Sequence, residues 1–223
     1  MRRHEPQSRD ERGQAFTLEG FTAAFILLIA VLFAVQSVVI TPSSGGAVDR
    51  TAQAQVQQQV QDALIVAQQD GELSELVRFV DVDDTTDEFQ SFHNESDGGQ
   101  GAYTASDFGN SSQLGQNAST LGAILNGNLE AGQNYNVELY YQTNDEGDRE
   151  SISLVDEGAP SSTAVTASYT VVLHENQSVT APGSDQQLGN ISISEEGEYI
   201  PNLNPGDDDA GLYNVVEIRV TVW

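Results

Sequence analysis

The chain has 223 residues, contains no cysteine, and carries 34 acidic residues against eight basic ones, so that its formal net charge is −26. The length suits one globular domain with an anchor, and the missing cysteine excludes disulfides and thiolate metal sites. The strong acidity argues against a nucleic-acid partner, because phosphates require a basic surface.

The first predicted element is an apolar helix near the N-terminus. Residues 1–13 are polar and contain four Arg, whereas residues 21–40 are apolar apart from Thr22, Gln36 and Ser37. Twenty helical residues span about 30 Å, which is the thickness of one bilayer core. The Arg residues before the span predict a single-pass membrane protein with a cytoplasmic N-terminus and an extracellular head. Removal as an ordinary secretory signal is disfavoured, because the apolar run is long and "AVQSVVIT" makes a poor cleavage site.

An amphipathic helix is predicted next. Residues 41–48 contain Pro42 and two glycines and predict a flexible break. Over residues 49–80, apolar side chains recur at three- and four-residue steps among glutamines, which is typical of an amphipathic helix interrupted at Gly71. Residues 81–112 are acidic and rich in Gly and Ser, so we expect a loop there. A short helix is predicted over 114–129, and the loop and helix together make up segment 81–133.

The last segment, 134–223, is predicted to form a β-rich head. Apolar residues alternate with polar ones over 134–143, 163–174 and 213–223, with shorter strands predicted over 150–156 and 190–194. The final strand ends on Trp223, the single Trp, which favours a position inside a sheet. The expected fold is therefore α+β, in which the amphipathic helix packs on a C-terminal, mainly antiparallel β-sheet.

The composition also indicates the solvent. All eight basic residues are Arg, and so much like charge repels itself unless molar salt reduces the Debye length to about 3 Å. The chain therefore has the composition of a protein from a high-salt organism. The alternative of an acidic disordered chain is disfavoured by the alternating strand patterns.

Five N-x-S/T sequons lie outside the anchor. An Asn-rich chain produces such tripeptides by chance, but several on an exported head predict glycosylation of at least one. The asparagines are Asn94, Asn110, Asn117, Asn176 and Asn190.

Two acidic runs, 81–88 and 205–211, carry oxygen ligands of the kind that Ca²⁺ prefers. The first lacks the glycine of an EF-hand loop, and such runs in an acidic chain are usually solvated surface. The histidines are scattered, namely His4, His93 and His174, and His174 is expected to be structural. No sequence motif calls for catalysis, so the chain is expected to be neither an enzyme nor a cofactor-binding or metal-binding protein.

The order of a polar leader, Arg12, Gly13, "QAFTLEG" and an uncut apolar helix resembles the class III signal of type IV prepilins. Within that group the chain is similar to the small pilin-like proteins of halophilic archaea, over roughly residues 9–40. The resemblance implies that a membrane-bound prepilin peptidase cuts after Gly13, so that the mature chain starts at Gln14. It further implies that the retained helix, 14–40, is first a membrane anchor and then the core of a surface filament.

Glu19 is the candidate assembly residue within this resemblance. It is sixth after the predicted cut, whereas the corresponding glutamate of bacterial pilins is fifth. One hypothesis is that Glu19 pairs with the free terminal amine of a neighbouring subunit. The alternative is that it lies at the headgroup level of the membrane without a role in assembly.

The resemblance implies a pilin-like subunit, more in keeping with a minor than a major one because the head is large. Its partners would be other pilin subunits, an assembly ATPase and a polytopic platform protein. A non-polymerising anchored binding protein or adhesin is the first alternative. A surface hydrolase is the second, although no catalytic signature supports it.

Overall fold

The computed structural model describes residues 10–36, 44–69, 71–95, 103–110, 119–129, 132–144, 148–193, 199–203 and 211–223. The chain divides into two compact units, Met1–Ala47 and Val48–Trp223, and the second is called the head below. The helices are α1 Asp10–Gln36, α2 Ser44–Gln69, α3 Glu72–Val77, α4 Ala105–Phe108, α5 Thr120–Asn128 and a 3-10 turn, Leu188–Asn190. The strands are β1 Val80–Val82, β2 Phe89–Phe92, β3 Tyr135–Gln142, β4 Arg149–Val155, β5 Val165–His174 and β6 Leu212–Val222.

The first unit contains α1. Its 27 residues form about 40 Å of helix. The helix begins at Asp10, four positions before the predicted start of the mature chain, while residues 37–40 lie outside the described residues.

The head is built on a four-stranded antiparallel sheet in the order β4-β3-β6-β5. The predicted antiparallel α+β fold is confirmed at this level. β6, which ends one residue before Trp223, lies between β3 and β5, so the prediction that the last strand is internal is also confirmed. Alternation places one face of β3 and β6 in the core, and its buried members are Tyr135, Val137, Leu139, Tyr141, Val216, Ile218, Val220 and Val222.

α2 packs on this buried face of the sheet. Its apolar stripe is buried in the same core as the strands, and it consists of Val60, Ala63, Leu64 and Ala67. Two glutamines fix the helix beside β5, since Gln53 Nε2 donates to the Thr163 carbonyl (3.3 Å) and Gln57 Nε2 to the Thr166 carbonyl (3.0 Å). The predicted break at Gly71 is confirmed, because this residue adopts φ 77°, where a side chain would be strained.

The structure corrects the prediction for residues 78–112. The predicted helix over 49–80 ends at Val77, and Val80 begins a strand instead. The predicted loop over 81–112 contains β1, β2 and α4, and β1 pairs with β2 in an antiparallel hairpin. These strands form because Val80 and Phe92 are buried in the core, which short alternation in an acid-rich segment does not reveal.

Three other elements differ from the sequence prediction. The break predicted over 41–48 is wrong from Ser44 onward, because α2 already begins there, and residues 41–43 lie outside the described residues. The short helix predicted over 114–129 is α5, Thr120–Asn128, and residues 111–118 lie outside the described residues. The strand predicted over 190–194 is wrong. The chain forms a 3-10 turn at Leu188–Asn190, and Ser192 makes an isolated bridge to Glu88.

Buried tyrosines connect the loops to the core. The Tyr199 hydroxyl donates to the Val77 carbonyl (2.8 Å), and the Tyr213 hydroxyl donates to the Ile200 carbonyl (2.7 Å). Burial raises the pKa of both phenols well above the usual range. They therefore remain neutral hydrogen-bond donors at any physiological pH.

Candidate functional site

The most distinctive surface is that of α1. The stretch Phe16–Phe33 has a mean hydropathy of 2.2, and 0% of it is buried. Its large apolar side chains point to all sides of the helix, and their exposed fractions run from 39% at Ile29 to 73% at Phe16. A helix that is apolar all round requires lipid or other apolar helices as its surroundings. By length and composition α1 could cross a membrane, and a signal sequence passes the same test.

Thr22, a polar residue within the stretch Phe16–Phe33, is compatible with lipid. Its hydroxyl donates to the carbonyl oxygens of Leu18 (3.0 Å) and Glu19 (2.9 Å) of the same helix. A hydroxyl satisfied within its own helix needs no water and costs little in hydrocarbon. Glu19, the predicted assembly residue, is exposed on α1, three residues before Thr22.

The predicted processing residues lie in the first turns of α1. Arg12, Gly13 and Gln14 are helical in the structure, and their side chains lie outside the described residues. The predicted cut after Gly13 therefore falls inside α1 and before its apolar stretch at Phe16–Phe33. A protease that reads an extended peptide would need this first turn to unwind, and a helical Gly favours unwinding by about 1 kcal/mol relative to Ala.

Four of the five sequon asparagines are exposed on the surface of the head, namely Asn94, Asn110, Asn176 and Asn190. Asn117 lies outside the described residues. The hydroxyl of its sequon, Ser119, is 1% exposed and caps α5 by accepting from the Gly122 N–H (3.0 Å). The folded head thus presents four sequon asparagines, and the fifth sequon has its serine buried.

The acidic run 81–88 comprises the end of β1 and the turn of the β1–β2 hairpin. Asp83 Oδ1 accepts from the backbone N–H groups of Thr85 (2.7 Å) and Thr86 (3.1 Å). These backbone hydrogen bonds lower the pKa of Asp83. The carboxylate thus closes the turn, and within the described residues no three Asp, Glu or His side chains converge as a metal site would require. The second run, 205–211, lies outside the described residues except for Gly211.

The two described histidines, His93 and His174, do not share a site. His93 Nδ1 lies 2.6 Å from Asp81 Oδ1, and its ring packs edge-on against Phe79. His174 is exposed at the end of β5, where its backbone N–H donates to Gln177 Oε1 (2.9 Å). His4 lies outside the described residues.

A charged cluster on the outer face of the sheet was not predicted from the sequence. Glu217 on β6 accepts from Arg219 Nη2 (3.1 Å) and from Arg149 Nη1 of β4 (3.4 Å). The Arg219 guanidinium also lies 3.8 Å from the centre of the Tyr140 ring. Burial raises the pKa of Glu217, but hydrogen bonds from Arg219 and Ser168 and the charges of both arginines outweigh it, so the pKa is lowered overall. The alternation of β3 and β6 places these residues on one face, and only the strand order brings in Arg149.

A groove of about 320 Å³ lies between α2 and the sheet. Its lining is mostly apolar, and the residues are Ala52, Gln53, Val56, Gln133, Thr163, Val165, Val222 and Trp223. Its volume is at the lower limit of small-molecule sites, which are usually about 300–1,000 Å³. Sequence patterns do not predict this groove, because its lining residues come from four separate parts of the chain.

Comparisons with known proteins identify one family, and its function is unknown. No curated protein and no solved structure matches the chain. One family profile matches residues 12–222, which include α1 from Arg12 onward and the head up to Val222. The chain therefore belongs to DUF7288, a family of unknown function.

Proposed function

We propose that this protein is a pilin-like, minor subunit of a type IV pilus-like surface filament. The observation that carries the proposal is the unburied apolar stretch Phe16–Phe33 of α1, which follows Arg12 and Gly13 by two residues. Such a helix needs an apolar environment that the described part of its own chain does not provide. A bilayer would supply it before assembly, and the helices of other subunits would supply it in a filament.

Three further features support this function. The family match covers α1 and the head together, as expected for a helix retained in the mature protein. The head presents four sequon asparagines at its surface, which suits an extracellular location. The α2 helix leads into a mainly antiparallel sheet, which is the arrangement that the resemblance to pilins implies.

The first experiment is intact-mass analysis of the full-length protein isolated from the native membrane. We expect a mature chain that begins at Gln14. Gly13→Val should block the cut and leave residues 1–13 attached. The matched control is Gly20→Val, since a side chain at Gly20 meets nothing within 4 Å and the position lies beyond the cut. A chain starting near residue 41 would mean that α1 is a discarded signal, and an intact Met1 would leave a plain anchored head.

Assembly is tested separately from processing. Glu19→Ala should remove the protein from sheared surface filaments while leaving its membrane insertion unchanged, because the terminal amine of a neighbour loses its partner. Glu19→Asp keeps the charge and serves as the matched variant. Wild-type amounts of Glu19→Ala in sheared filaments would overturn the pairing role.

The second candidate function is a membrane-anchored binding protein or adhesin that does not polymerise. The groove beside Trp223 favours it, because this is an apolar recess with a few polar groups. This function requires the protein to stay in the membrane fraction and to be missing from sheared filaments. A ligand of the groove would also change the fluorescence of Trp223, the single Trp of the chain.

A further inference from the structure

β5 forms one edge of the main sheet, and its free side can be worked out from the hydrogen-bond pattern. Trp223 and Asn134 exchange backbone hydrogen bonds (2.9 and 3.0 Å), so the odd-numbered residues of β6 face β3 and the even-numbered ones face β5. The register Val165↔Val222 then directs the backbone groups of odd-numbered β5 residues toward β6. The N–H and C=O groups of the even-numbered residues point away from the sheet.

Part of this edge is covered and part is free. Gln57 of α2 donates to the outward carbonyl of Thr166. In the described residues no backbone partner is found for the outward groups of Ser168, Thr170 and Val172. Thr170 and Val172 are exposed, and 47% of Val172 is accessible. As far as the described residues go, three consecutive outward positions are therefore open to another strand.

The β5 edge is unusual because it lacks the charged side chains that normally protect an edge strand. Exposed edge strands are normally protected by charged side chains or Pro. β4, the opposite edge, carries Arg149 and Glu150, whereas β5 contains no Asp, Glu, Arg or Pro in a chain of net charge −26. The nearest described carboxylate on the adjoining strand is Glu217, opposite Thr170, and it is paired with two arginines.

The backbone edge at Ser168, Thr170 and Val172 is called the β5 edge surface below.

We propose that the β5 edge surface binds the same surface of a second copy, so that two heads join in one eight-stranded antiparallel sheet. The three outward positions are symmetric about Thr170, so an antiparallel pair with Thr170 opposite Thr170 matches Ser168 with Val172 in both directions. This register supplies about six backbone hydrogen bonds.

A second copy is the occupant that the charge favours. Each copy repels the other over most of its surface, since both are strongly acidic. The β5 edge surface allows approach without placing carboxylates against carboxylates. The contact is isologous, so it closes as a dimer and does not propagate.

The geometry has a consequence for the assembly. A two-fold axis normal to the sheet makes the two α2 helices antiparallel, so the two chains enter the joint sheet from opposite ends. Copies that point the same way within one filament do not meet like this. The pairing instead joins heads from two filaments or from two facing surfaces. It does not depend on the proposed filament function, because an anchored monomeric head would pair in the same manner.

The test is disulfide cross-linking of the full-length chain, which has no cysteine of its own. Thr170→Cys should give a covalent dimer as the major product on mild oxidation in detergent at molar salt, because paired strands place opposite Cα atoms about 5.5 Å apart. The matched control is Ser151→Cys on β4, which is exposed at the opposite edge. Ser151→Cys should remain mostly monomeric, which separates specific pairing from contact through α1.

A second variant tests the pairing without oxidation. Thr170→Lys places two positive charges on the axis and should raise the dissociation constant of the detergent-solubilised dimer by about tenfold or more in analytical ultracentrifugation. Ser151→Lys should leave it unchanged. Cross-linking of Thr170→Cys no faster than that of Ser151→Cys would overturn the proposal, and so would an unchanged dissociation constant for Thr170→Lys. The cross-linking and the dissociation constant are measured independently of the mass and shearing experiments that test the filament.

Discussion

The two units of the chain differ in charge and in what they expose. In Met1–Ala47 four Arg offset four acidic residues, so the net charge of −26 is carried entirely by the head, with its 30 acidic residues and four Arg. α1 exposes its apolar side chains on all sides. In the head, the large apolar side chains that are exposed in the described residues are only Ile65, Val66 and Val172.

This difference means that the head suits water and that α1 suits an apolar environment. Hydrophobic side chains stabilise the head by being removed from water, whereas in α1 the same side chains determine where the helix can reside. The same substitution should therefore have different consequences in the two units. Each experiment below applies the same change to two regions or to two positions of the chain and compares the effects.

The largest expected effect is that of salt on the head. At about 0.01 M salt the Debye length is about 30 Å, so the repulsion among the charges of the head acts across most of a domain. We expect the head to lose its tertiary structure on dialysis from molar to millimolar salt, while α1 stays helical in micelles. Trp223 fluorescence and near-UV circular dichroism report the head, and far-UV circular dichroism reports the remaining helix. Retention of the head's fold at low salt would contradict the high-salt interpretation of the composition.

A paired truncation compares the two uses of leucine. Leu139 of β3 is 0% exposed and Leu27 of α1 is 67% exposed. We expect Leu139→Ala to lower the free energy of unfolding of the head by about 2–5 kcal/mol, because it leaves a cavity in the core. Leu27→Ala should leave that free energy unchanged. Denaturant unfolding of both full-length variants in detergent at molar salt measures the difference, and equal midpoints would contradict it.

A paired charge insertion tests the membrane assignment of α1. Leu28 of α1 is 60% exposed and Val66 of α2 is 44% exposed, so neither substitution disturbs a core. Leu28→Arg should disfavour membrane insertion by about 3 kcal/mol, because the charge would lie within the hydrocarbon. Val66→Arg should have almost no effect on insertion or stability. Partition between membrane and soluble fractions is the measurement, and equal partition of the two variants would show that α1 does not span a bilayer.

The sequence predicts those elements whose periodicity is local and strong. Alternation at Tyr135, Val137, Leu139 and Tyr141 predicted β3, because a half-buried strand has a period of two whatever it packs against. The same argument predicted β5 and β6. The β1–β2 hairpin was missed because its strands have three and four residues. They are fixed by distant core contacts and not by a repeat of their own.

Non-local hydrogen bonds also lie beyond the sequence patterns. Asn214 is 0% exposed at the start of β6, and its amide donates to the carbonyls of Gln142 (3.0 Å) and Pro201 (2.8 Å). An Asn in a strand pattern usually indicates a turn or an exposed position. Its role depends on residues 13 and 72 positions away, which no sequence window contains.

The candidate site also has one part that the local sequence predicts and another that requires the fold. The order of Arg12, Gly13 and the apolar run is local, so the processing hypothesis arose from the sequence and stays a prediction. The Arg149–Glu217–Arg219 cluster and the β5 edge required the strand order. An edge strand cannot be distinguished from a central one by its residues alone when, as in β5, protective charges are missing.

The smallest expected effects come from two glutamates of the head with opposite pKa shifts. Burial raises the pKa of Glu72, despite its hydrogen bonds to the N terminus of α5, and the neighbouring Glu75 raises it further. The arginine partners of Glu217 lower its pKa. At neutral pH we expect Glu72→Gln to stabilise the head and Glu217→Gln to destabilise it, each by less than about 1 kcal/mol. Asp185→Asn, at an exposed position, measures the effect of removing one negative charge from this acidic head.

The pH dependence separates these effects from a general loss of charge. The carboxylate of Glu217 stabilises the head above the unfolded pKa of about 4.5, and this contribution is lost as pH falls through its lower folded pKa. Glu72 behaves in the opposite way, since its contribution is full below about pH 4.5 and is lost as pH rises through its higher folded pKa. Both variants are compared with Asp185→Asn. The loss in unfolding free energy caused by Glu217→Gln should therefore vanish in acid. The increase in unfolding free energy caused by Glu72→Gln should appear only above about pH 4.5. Unfolding free energies at molar salt between pH 3 and 8 measure both curves, and shifts of the same sign for the two variants would show that removal of charge alone governs the stability of the head.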